Sequence, residues 1–443
     1  MPLRPRRIPT VAANGGEKPV LRSVVTILRT APRPVWILVA GVLVNRMGSY
    51  FATFATLFLT SRAIALASLP VILAAIAAAG MLGSLAGGWI ADRFSRRAAL
   101  VSSAAASAVS LACVALAPTR PTVIAAVCLS GFCTQSYVPA ASALLVDFSR
   151  PEERVPLFAL FRLALNVGAA IAGLTAGLIA AHSYGALFVV DAVTSAAFAL
   201  VILVGLPRTP PGPPPTAGAL EADAADGGAW DPGNPDPGAA DAARPGRTDR
   251  AGPAITLPLM LSAFFCVAAV YAQHTATLPL HLAAAGHTPR LFGALLALNA
   301  VIVIAAELPI SSLTRRGSPR VPLGLGAGLI AAGMAACLAS GATVVVAGGV
   351  LVWTFGEMLL APVAGNAMAD IAPDGRVARY QSYLVAAQTL GFALGPAGGA
   401  LIYAHASSAL PLVCLIGGFT AVALIVMAAR LSTERQTPDV GAD

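Results

Sequence analysis

Long apolar segments, separated by short polar turns, follow one another along most of the chain. Twelve of these segments are long enough for a helix to cross about 30 Å of hydrocarbon at about 1.5 Å per residue. Backbone polar groups in lipid must be satisfied within the segment, so this length predicts helices and not the strands of a barrel. The predicted spans lie at residues 35–59, 70–91, 98–117, 121–146, 157–180, 186–206, 255–281, 291–313, 321–340, 343–368, 379–403 and 409–430.

The composition agrees with a membrane protein. The 443 residues are 57% hydrophobic and only 11% charged, which is more apolar than a soluble chain can cover with polar surface. The first apolar run has the length of a span and lacks a small-residue cleavage site, so we expect no signal peptide to be removed. The pattern therefore predicts an all-α polytopic membrane protein with twelve transmembrane helices.

The distribution of Lys and Arg predicts the orientation. If both termini are cytoplasmic, the N-terminal tail holds seven of the 28 basic residues, and only Arg62, Arg120 and Arg290 lie on the opposite side. Basic residues near span ends are retained in the cytoplasm, so we expect a multi-pass protein of a bacterial inner membrane with both termini inside. The net charge of +8 then reflects attraction to an anionic inner leaflet, and no nucleic-acid partner is implied.

A proline- and glycine-rich stretch interrupts the chain between the sixth and seventh spans. This stretch cannot bury enough apolar area to offset its ordering entropy, so we expect a disordered cytoplasmic linker. The predicted domains are a basic tail at 1–34, a six-helix bundle at 35–206, the linker at 207–253, a second six-helix bundle at 254–430 and a cytoplasmic tail at 431–443.

The two halves resemble each other in sequence. Pro139–Phe148 and Pro362–Ile371 each contain a proline and an aspartate eight residues apart, and the same offset of 223 residues relates Gly168 to Gly391. Parallel repeats of this kind predict two similar bundles around a central cavity.

The turn after the second span is unusually charged. It reads GWIADRFSRR, from Gly88 to Arg97, and resembles the GxxxDRxGRR signature between the second and third spans of the major facilitator superfamily. The twelve-span layout extends this resemblance to the whole chain. Four further segments resemble the twelve-span drug:proton antiporter branch of that superfamily: VPAASALLVDFSRPEER in the fourth span, YAQHTATLPLHL in the seventh, WTFGEMLLAP in the tenth and GFALGPAGG in the eleventh.

The resemblance implies that this turn is a conformational latch. In the superfamily the loop acid, here Asp92, meets the positive N-terminal end of the eleventh helix when the cavity is closed to the cytoplasm. A positive-inside turn with one neutralised charge is the alternative. The turn departs from the signature at Ser95, where glycine is usual. The predicted latch residues are Gly88, Asp92, Arg93, Arg96, Arg97 and Asp147.

Small residues on the second and eleventh spans predict close helix packing. We expect the small faces of these two spans to meet each other and to bring the eleventh span against the latch. The predicted packing residues are Gly83, Gly87, Gly391, Gly395, Pro396 and Gly399.

Ionisable side chains deep in a span are functional candidates, because they are costly there unless paired or hydrated. Arg46 and Glu357 are predicted near mid-membrane, and the superfamily layout implies that their spans line the cavity. Burial opposes the charge of Glu357 and Arg46 favours it, so alternating access could couple this acid to proton exchange. Bracing of a cavity wall is the alternative for Glu357. Glu307 is a second coupling candidate, with a snorkelling interfacial position as its alternative.

Other polar and aromatic residues of the spans are candidates for the substrate cavity. Packing or a position in the aromatic belt is the alternative for Trp353, and a solvated or helix-bonded role is the alternative for Gln273. We expect Asp191 near the membrane interface, Arg162 and Asn166 between helices, and His274 near the outer mouth. The predicted cavity residues are Asn45, Gln135, Gln273, Asn299, Trp353 and Gln388.

The motifs predict a secondary transporter and not an enzyme. The only lysine, Lys18, precedes Pro19, so the phosphate-binding loop of an ATP-driven pump is missing. The six cysteines fall within spans and lack metal-binding spacing, so we expect neither a metal nor a cofactor.

The expected function is export of small, often hydrophobic organic compounds in exchange for protons, by a monomer. Two departures weaken the antiport assignment. Phe132 stands where many drug antiporters have an arginine three residues before the glutamine of the fourth span, and Leu174 stands where the fifth-span motif has proline. A metabolite exporter or uniporter is the closest alternative, and a non-transporting sensor is a more distant one.

Overall fold

The computed structural model describes residues 32–148, 154–207, 255–314, 318–373 and 376–434. Within these ranges the regular secondary structure is helical and includes no strand, as the segment lengths predict. Most of the tail predicted at 1–34, of the linker predicted at 207–253 and of the tail predicted at 431–443 lies outside the described residues.

The described residues form sixteen α-helices, which we number in chain order. They are α1 Arg33–Met47, α2 Phe51–Ser61, α3 Leu69–Arg93, α4 Arg96–Leu116, α5 Arg120–Ser136, α6 Val138–Asp147, α7 Arg154–Ala180, α8 Tyr184–Gly205, α9 Thr256–Tyr271, α10 Gln273–Ala276, α11 Leu278–Ala284, α12 Pro289–Thr314, α13 Arg320–Ala339, α14 Thr343–Ile371, α15 Val377–Ala406 and α16 Leu410–Glu434.

These helices form the predicted number of spans. By length and apolar composition, the described residues contain eleven helical segments able to cross a membrane. The last segment, Arg379–Leu431, is 53 residues long, and a short 3₁₀ helix at Ser407–Ala409 divides it into α15 and α16. The described chain therefore has twelve spans, of which the first consists of α1 and α2, the fourth of α5 and α6, and the seventh of α9, α10 and α11.

Local sequence explains where several helices begin. The hydroxyl of Ser95 accepts a hydrogen bond from the Ala98 amide at 3.0 Å and so caps α4. Ser183 caps α8 in the same way, with the Ala186 amide as donor. Ser95 is the residue that departs from the charged signature, and the structure gives this serine a structural role.

The twelve spans form two six-helix bundles, and among the described residues the two bundles share an apolar core on one side. We call the side with the start of α1 and the α3–α4 turn the terminal side, and the opposite side the distal side. The distal parts of the first bundle share one core with the second bundle, including Phe54, Phe188 and Phe292. The terminal parts of the first bundle form a separate core of their own, including Leu100 and Phe198. The two bundles are thus joined through the distal side.

Direct contacts between the bundles mark this distal junction. The rings of Phe54 and Phe292 meet edge to face with centroids 5.3 Å apart. Where the fifth and eighth spans cross, glycine allows the backbones to touch, because a Cβ at Gly177 would lie 2.8 Å from the Cα of Arg290. Small residues therefore let the two bundles approach closely here.

Candidate functional site

Three spans place polar groups at the same depth. The first, seventh and tenth spans are each 29 residues long, Arg33–Ser61, Thr256–Ala284 and Thr343–Ile371. Arg46, Tyr271 and Glu357 each lie within one residue of the middle of their span, which corresponds to about 1.5 Å along the helix axis. Arg46 and Glu357, which we predicted near mid-membrane, and Tyr271, which we did not predict, therefore lie at the same depth.

The first span is broken next to Arg46, and the sixth span holds the break. Oδ2 of Asp191 accepts hydrogen bonds from the backbone amides of Tyr50 at 3.0 Å and Phe51 at 3.1 Å. The side-chain amide of Asn45 donates to the Ser195 hydroxyl at 3.1 Å. The first amides of α2, which have no partner within their own helix, are thus satisfied by a carboxylate.

Close packing fixes the same break. At Gly48 the backbone lies against the Thr194 side chain, and an added Cβ would collide with that hydroxyl. Arg46 packs on the fifth span at Gly168. A Cβ added to Gly168 would lie 2.7 Å from the Cβ of Arg46. The break therefore holds the base of the Arg46 side chain at one position between the first and fifth spans.

The Arg46 charge acts on groups of both bundles. Within the first bundle, it interacts electrostatically with the carboxylate of Asp191 and the hydroxyl of Tyr137. In the second bundle, it interacts with the hydroxyl of Tyr271. Arg46 is consequently shared between the break in the first span and the centre of the second bundle.

An aromatic cluster lies at the centre of the second bundle. The ring of Tyr271 stacks on that of Trp353 with centroids 5.3 Å apart, and it meets the ring of Phe392 edge to face at 5.9 Å. His274 packs edge to face against both Tyr271 and Trp353, and its Nδ1 lies 2.7 Å from the carbonyl oxygen of Tyr271. Trp353 is 1% exposed and Phe392 is 39% exposed. The cluster thus presents Phe392 as its accessible surface.

Glu357 lies beside this cluster and is half-buried. Its carboxylate interacts with the hydroxyl of Tyr271 through a hydrogen bond and accepts a second one from Asn299 at 3.4 Å. The Asn299 amide also donates to the Thr354 hydroxyl at 2.9 Å. Residues of the seventh, eighth and tenth spans therefore surround the carboxylate of Glu357. Tyr271 interacts both with this carboxylate and with the charge of Arg46.

Two predicted cavity residues are instead deeply buried between helices. Asn45 donates to Ser195, as described above, and is buried. Gln273, in the break of the seventh span, donates to the carbonyls of Ala269 at 2.9 Å and Gly395 at 2.8 Å. Its Oε1 accepts from the Thr277 hydroxyl at 3.1 Å. In this structure both side chains bind helices to one another, which was one of the stated alternatives for Gln273.

The remaining predicted cavity residues differ in exposure. Gln135 on the fourth span is exposed and Gln388 on the eleventh is half-buried. Asn166 is buried, in line with the expected position between helices. The side chains of Arg162 and Glu307 lie outside the described set, so their predicted roles stay predictions.

The second and eleventh spans lie against each other across the two bundles, as expected, but the predicted glycines pack on other helices. Gly83 and Gly87 pack against the backbone of Phe132 and Ser136 on the fourth span. On the eleventh span, the predicted glycines pack against the seventh span, where a Cβ at Gly395 would lie 2.7 Å from the Ala269 oxygen. The remaining predicted glycines follow the same pattern: Gly391 faces the backbone of Phe265 and Ala269, and Gly399 faces the side chain of Gln273. Close packing was predicted correctly, but each partner helix belongs to the same bundle.

The charged turn is tied to its own bundle. Arg96 forms an ion pair with Asp147 at the end of the fourth span and donates to the Ala143 carbonyl at 3.0 Å. Arg97 donates to the Leu203 carbonyl of the sixth span. The side chain of Asp92 lies outside the described set. Gly88 faces open space, since a Cβ there would have no neighbour within 4 Å.

Asp191 was expected at the membrane interface, and that expectation is wrong. Its side chain is 3% exposed and caps α2 from the sixth span. The MGSY stretch at the break could have signalled a helix start that needs an acceptor, but the acceptor lies 141 residues further along the chain. Tyr271 was also missed, although it is the first residue of the seventh-span motif quoted above.

Comparisons with known proteins agree with this architecture. A family model described as the Major Facilitator Superfamily matches residues 38–357 and, in a second match, residues 259–442. The uncharacterized MFS-type transporter YqjV of Bacillus subtilis (strain 168) is 26% identical over 367 residues, which cover 82% of this chain and 84% of the relative. YttB of the same organism, also an uncharacterized MFS-type transporter, is 21% identical over 381 residues, or 84% and 89% of the two chains.

Solved structures share the fold at low sequence identity. The peptide transporter POT has a TM-score of 0.69 and 17% identity, with 90% of this chain and 96% of that chain covered. A bacterial homologue of the human lysosomal transporter Spinster, in an inward-facing and occupied conformation, has a TM-score of 0.63 and 14% identity, covering 95% and 98%.

Two bundles of six membrane spans, with polar groups collected at mid-depth between them, define a multi-pass membrane transporter of small molecules. The family model matches most of the length of this chain, and the chain belongs to the Major Facilitator Superfamily.

Proposed function

We propose that the protein exports small hydrophobic organic compounds in exchange for protons, as a member of the drug:proton antiporter branch. The observation that carries this proposal is the half-buried carboxylate of Glu357 at the middle of the tenth span, in contact with Tyr271 and Asn299. An acid at this depth changes its tendency to bind a proton when its polar neighbours move. Alternating access moves those neighbours.

The surroundings of Glu357 suit an apolar ligand with few polar groups. Phe392 offers an accessible aromatic surface within the cluster around Tyr271. Gln135 and Gln388 add accessible amides on the fourth and eleventh spans. Binding sites for small organic molecules combine apolar walls with a small number of polar groups in this way.

We further propose that the terminal side is cytoplasmic, in the inner membrane of a bacterium. The positive-inside distribution of Lys and Arg supports this orientation. In this orientation the distal side faces outward, and the shared distal core closes it. The structure would then correspond to the inward-facing state, which takes up substrate from the cytoplasm. The protein would work as a monomer beside an anionic inner leaflet.

The charged turn would act as the latch of the opposite state. The Arg96–Asp147 ion pair holds the turn against the fourth span, which supports presentation of Asp92 toward the eleventh helix when the terminal side closes. We expect Asp92→Asn to weaken that closure, because it removes the charge and keeps the size. Spin-label distances across the terminal side should lengthen on average. Unchanged distances would remove the support for a latch.

The proton role is tested by Glu357→Gln in proteoliposomes. Glutamine keeps the volume and most hydrogen bonds but cannot bind and release a proton. With a fluorescent hydrophobic dye that the parent protein concentrates, we expect gradient-driven transport to be lost and dye counterflow without a gradient to persist.

A bracing role for Glu357 predicts the opposite pattern, and Glu357→Ala separates the two. If glutamine is tolerated and alanine is harmful, the residue braces the wall through Asn299. If Glu357→Gln still concentrates the dye against its gradient, Glu357 does not couple protons, and Glu307 is the next acid to test. A parent protein that moves dye without moving protons would indicate a uniporter.

A further inference from the structure

The guanidinium of Arg46 places a positive charge at mid-depth that no described side chain pairs by direct contact. Arg46 is half-buried, and among the described residues its guanidinium donates no hydrogen bond and forms no ion pair. Its interactions with Asp191 and Tyr271 act through the electric field alone. A charged group in the middle of a membrane span is costly unless water or a partner satisfies it. The N–H donors of Arg46 are therefore available to a ligand between the two bundles.

Asp191 does not serve as this direct partner, because the break in the first span already uses its carboxylate. Its Oδ2 accepts the Tyr50 and Phe51 amides at 3.0 and 3.1 Å, and its side chain is 3% exposed. The base of the Arg46 side chain is meanwhile held against Gly168 of the fifth span. Asp191 thus lowers the cost of the Arg46 charge without forming an ion pair with it.

The acid of the other bundle limits the charge that a ligand can carry. Glu357 contacts the Tyr271 hydroxyl and accepts a hydrogen bond from Asn299 at 3.4 Å. The field of Arg46 reaches the same Tyr271 hydroxyl, so the cation and the acid belong to one site. A second negative charge on the ligand would meet the carboxylate of Glu357, and like charges repel strongly away from bulk water. The site therefore favours a ligand with a single negative charge over a dianion such as phosphate.

The aromatic cluster of the second bundle adds a flat apolar wall to this site. Tyr271 feels the charge of Arg46 and also stacks on Trp353 with ring centroids 5.3 Å apart. Phe392 meets Tyr271 edge to face and is 39% exposed, so it is the accessible ring of the cluster. Aromatic rings gain specific contacts with one another beyond the burial of area. A ligand that reaches from Arg46 to Phe392 would combine an anionic end with a planar aromatic body.

We propose that the substrates are aromatic carboxylates, whose single carboxylate binds Arg46 while the ring packs on Phe392. Guanidinium and carboxylate match in geometry, because two parallel N–H donors of the planar guanidinium bind the two oxygens. The inference rests on the proposed function in placing the substrate at mid-depth between the bundles. It narrows the small hydrophobic compounds of that proposal to compounds that carry one negative charge.

The test compares three naphthalene compounds that share the ring and differ in charge: naphthoate is an anion, naphthamide is neutral and naphthylmethylammonium is a cation. Their binding to the full-length protein in detergent is measured at neutral pH by isothermal titration calorimetry. Hydrogen bonds to charged groups are worth enough to expect naphthoate to bind at least about tenfold more tightly than naphthamide. We expect the cation to bind most weakly.

Substitutions of Arg46 test whether this residue recognises the charge. Arg46→Gln keeps hydrogen-bond donors and loses the charge, so the preference for naphthoate over naphthamide should disappear. Arg46→Lys keeps the charge and loses the paired donors, so part of the preference should remain, and this variant carries the test if Arg46→Gln does not fold. Arg62→Gln is the matched control. Arg62 lies on the distal side, 5.2 Å from the centroid of the Phe58 ring, so its loss should leave the preference unchanged.

A substitution of Phe392 tests the ring separately from the charge. Phe392→Leu removes the aromatic ring and keeps an apolar side chain. We expect it to weaken the binding of naphthoate and naphthamide by the same factor, so that the preference for the anion survives.

The inference is overturned if naphthoate does not bind, or if naphthamide or the cation binds as tightly as naphthoate. It is also overturned if Arg46→Gln keeps the preference, if Arg46→Lys binds naphthoate as the parent does, or if Phe392→Leu leaves both affinities unchanged. Failure of the proposed function has a different signature, namely naphthoate that binds with these preferences but whose transport in proteoliposomes does not respond to a proton gradient. The binding measurement and the transport measurement can therefore fail separately.

Discussion

The two broken spans offer a direct comparison, because they occupy corresponding places in the two halves and are held by opposite chemistry. In the first span, the acid of Asp191 accepts two backbone amides at 3.0 and 3.1 Å. In the seventh span, the amide of Gln273 donates to two backbone carbonyls at 2.9 and 2.8 Å. One break needs an acceptor and the other needs a donor.

This difference decides which break is held by an ionisable group. A carboxylate accepts hydrogen bonds and changes charge when it binds a proton, whereas a side-chain amide donates and accepts without titrating. The break of the first half is therefore held by an ionisable group, and that of the second half by a group that does not titrate, with its acid placed elsewhere, at Glu357. Similar backbones are thus stabilised by different side-chain chemistry.

The largest effect is expected from Gln273→Glu, which would make the second break acidic. Glutamate has no amide hydrogens, so the carbonyls of Ala269 and Gly395 would lose their donor and face a carboxylate. A buried group left unsatisfied in this way costs about 1–3 kcal/mol, and more when it is charged. We expect a large loss of stability, measured by denaturant unfolding in detergent.

Gln388→Glu is the matched control for that experiment. It introduces the same change at a half-buried amide of the eleventh span, so its effect should be much smaller. Equal stability of Gln273→Glu and the parent would show that donor and acceptor are interchangeable at the second break, and the comparison drawn above would fail.

A smaller effect is expected from Gly48→Ala in the first break. The added Cβ would collide with the Thr194 hydroxyl, and overpacking of this kind costs about 1–3 kcal/mol. Thr194→Ala removes the colliding atoms, so the double variant should recover part of the loss in the same unfolding assay.

Gly398→Ala provides the control for the glycine change. A Cβ there meets no atom within 4 Å, and alanine is the better helix former, so stability should hold or rise slightly. If Gly48→Ala is as benign as Gly398→Ala, the sixth span does not constrain the break.

Several features of the site could be predicted because they are local. The mid-span depth of Arg46 and Glu357 follows from counting residues along an apolar run. The association of Trp353, Asn299 and Glu357 was only partly predictable, since each was a candidate by residue type but no spacing joined the eighth span to the tenth. Tyr271 was overlooked because a tyrosine in a span is usually packing, and its role depends on Glu357, 86 residues away.

The sequence by itself determined the membrane class, the twelve helices and the family. Hydrocarbon thickness and the need to satisfy the backbone within each segment act on consecutive residues, so the length of an apolar run is sufficient. Only the tertiary structure decided which surfaces meet. Glycine spacing predicts a close approach without naming the partner, and Gly83 met the fourth span instead of the eleventh. Likewise, burial of Asp191 depends on amides 141 residues earlier in the chain, and only folding brings that acid to the break it caps.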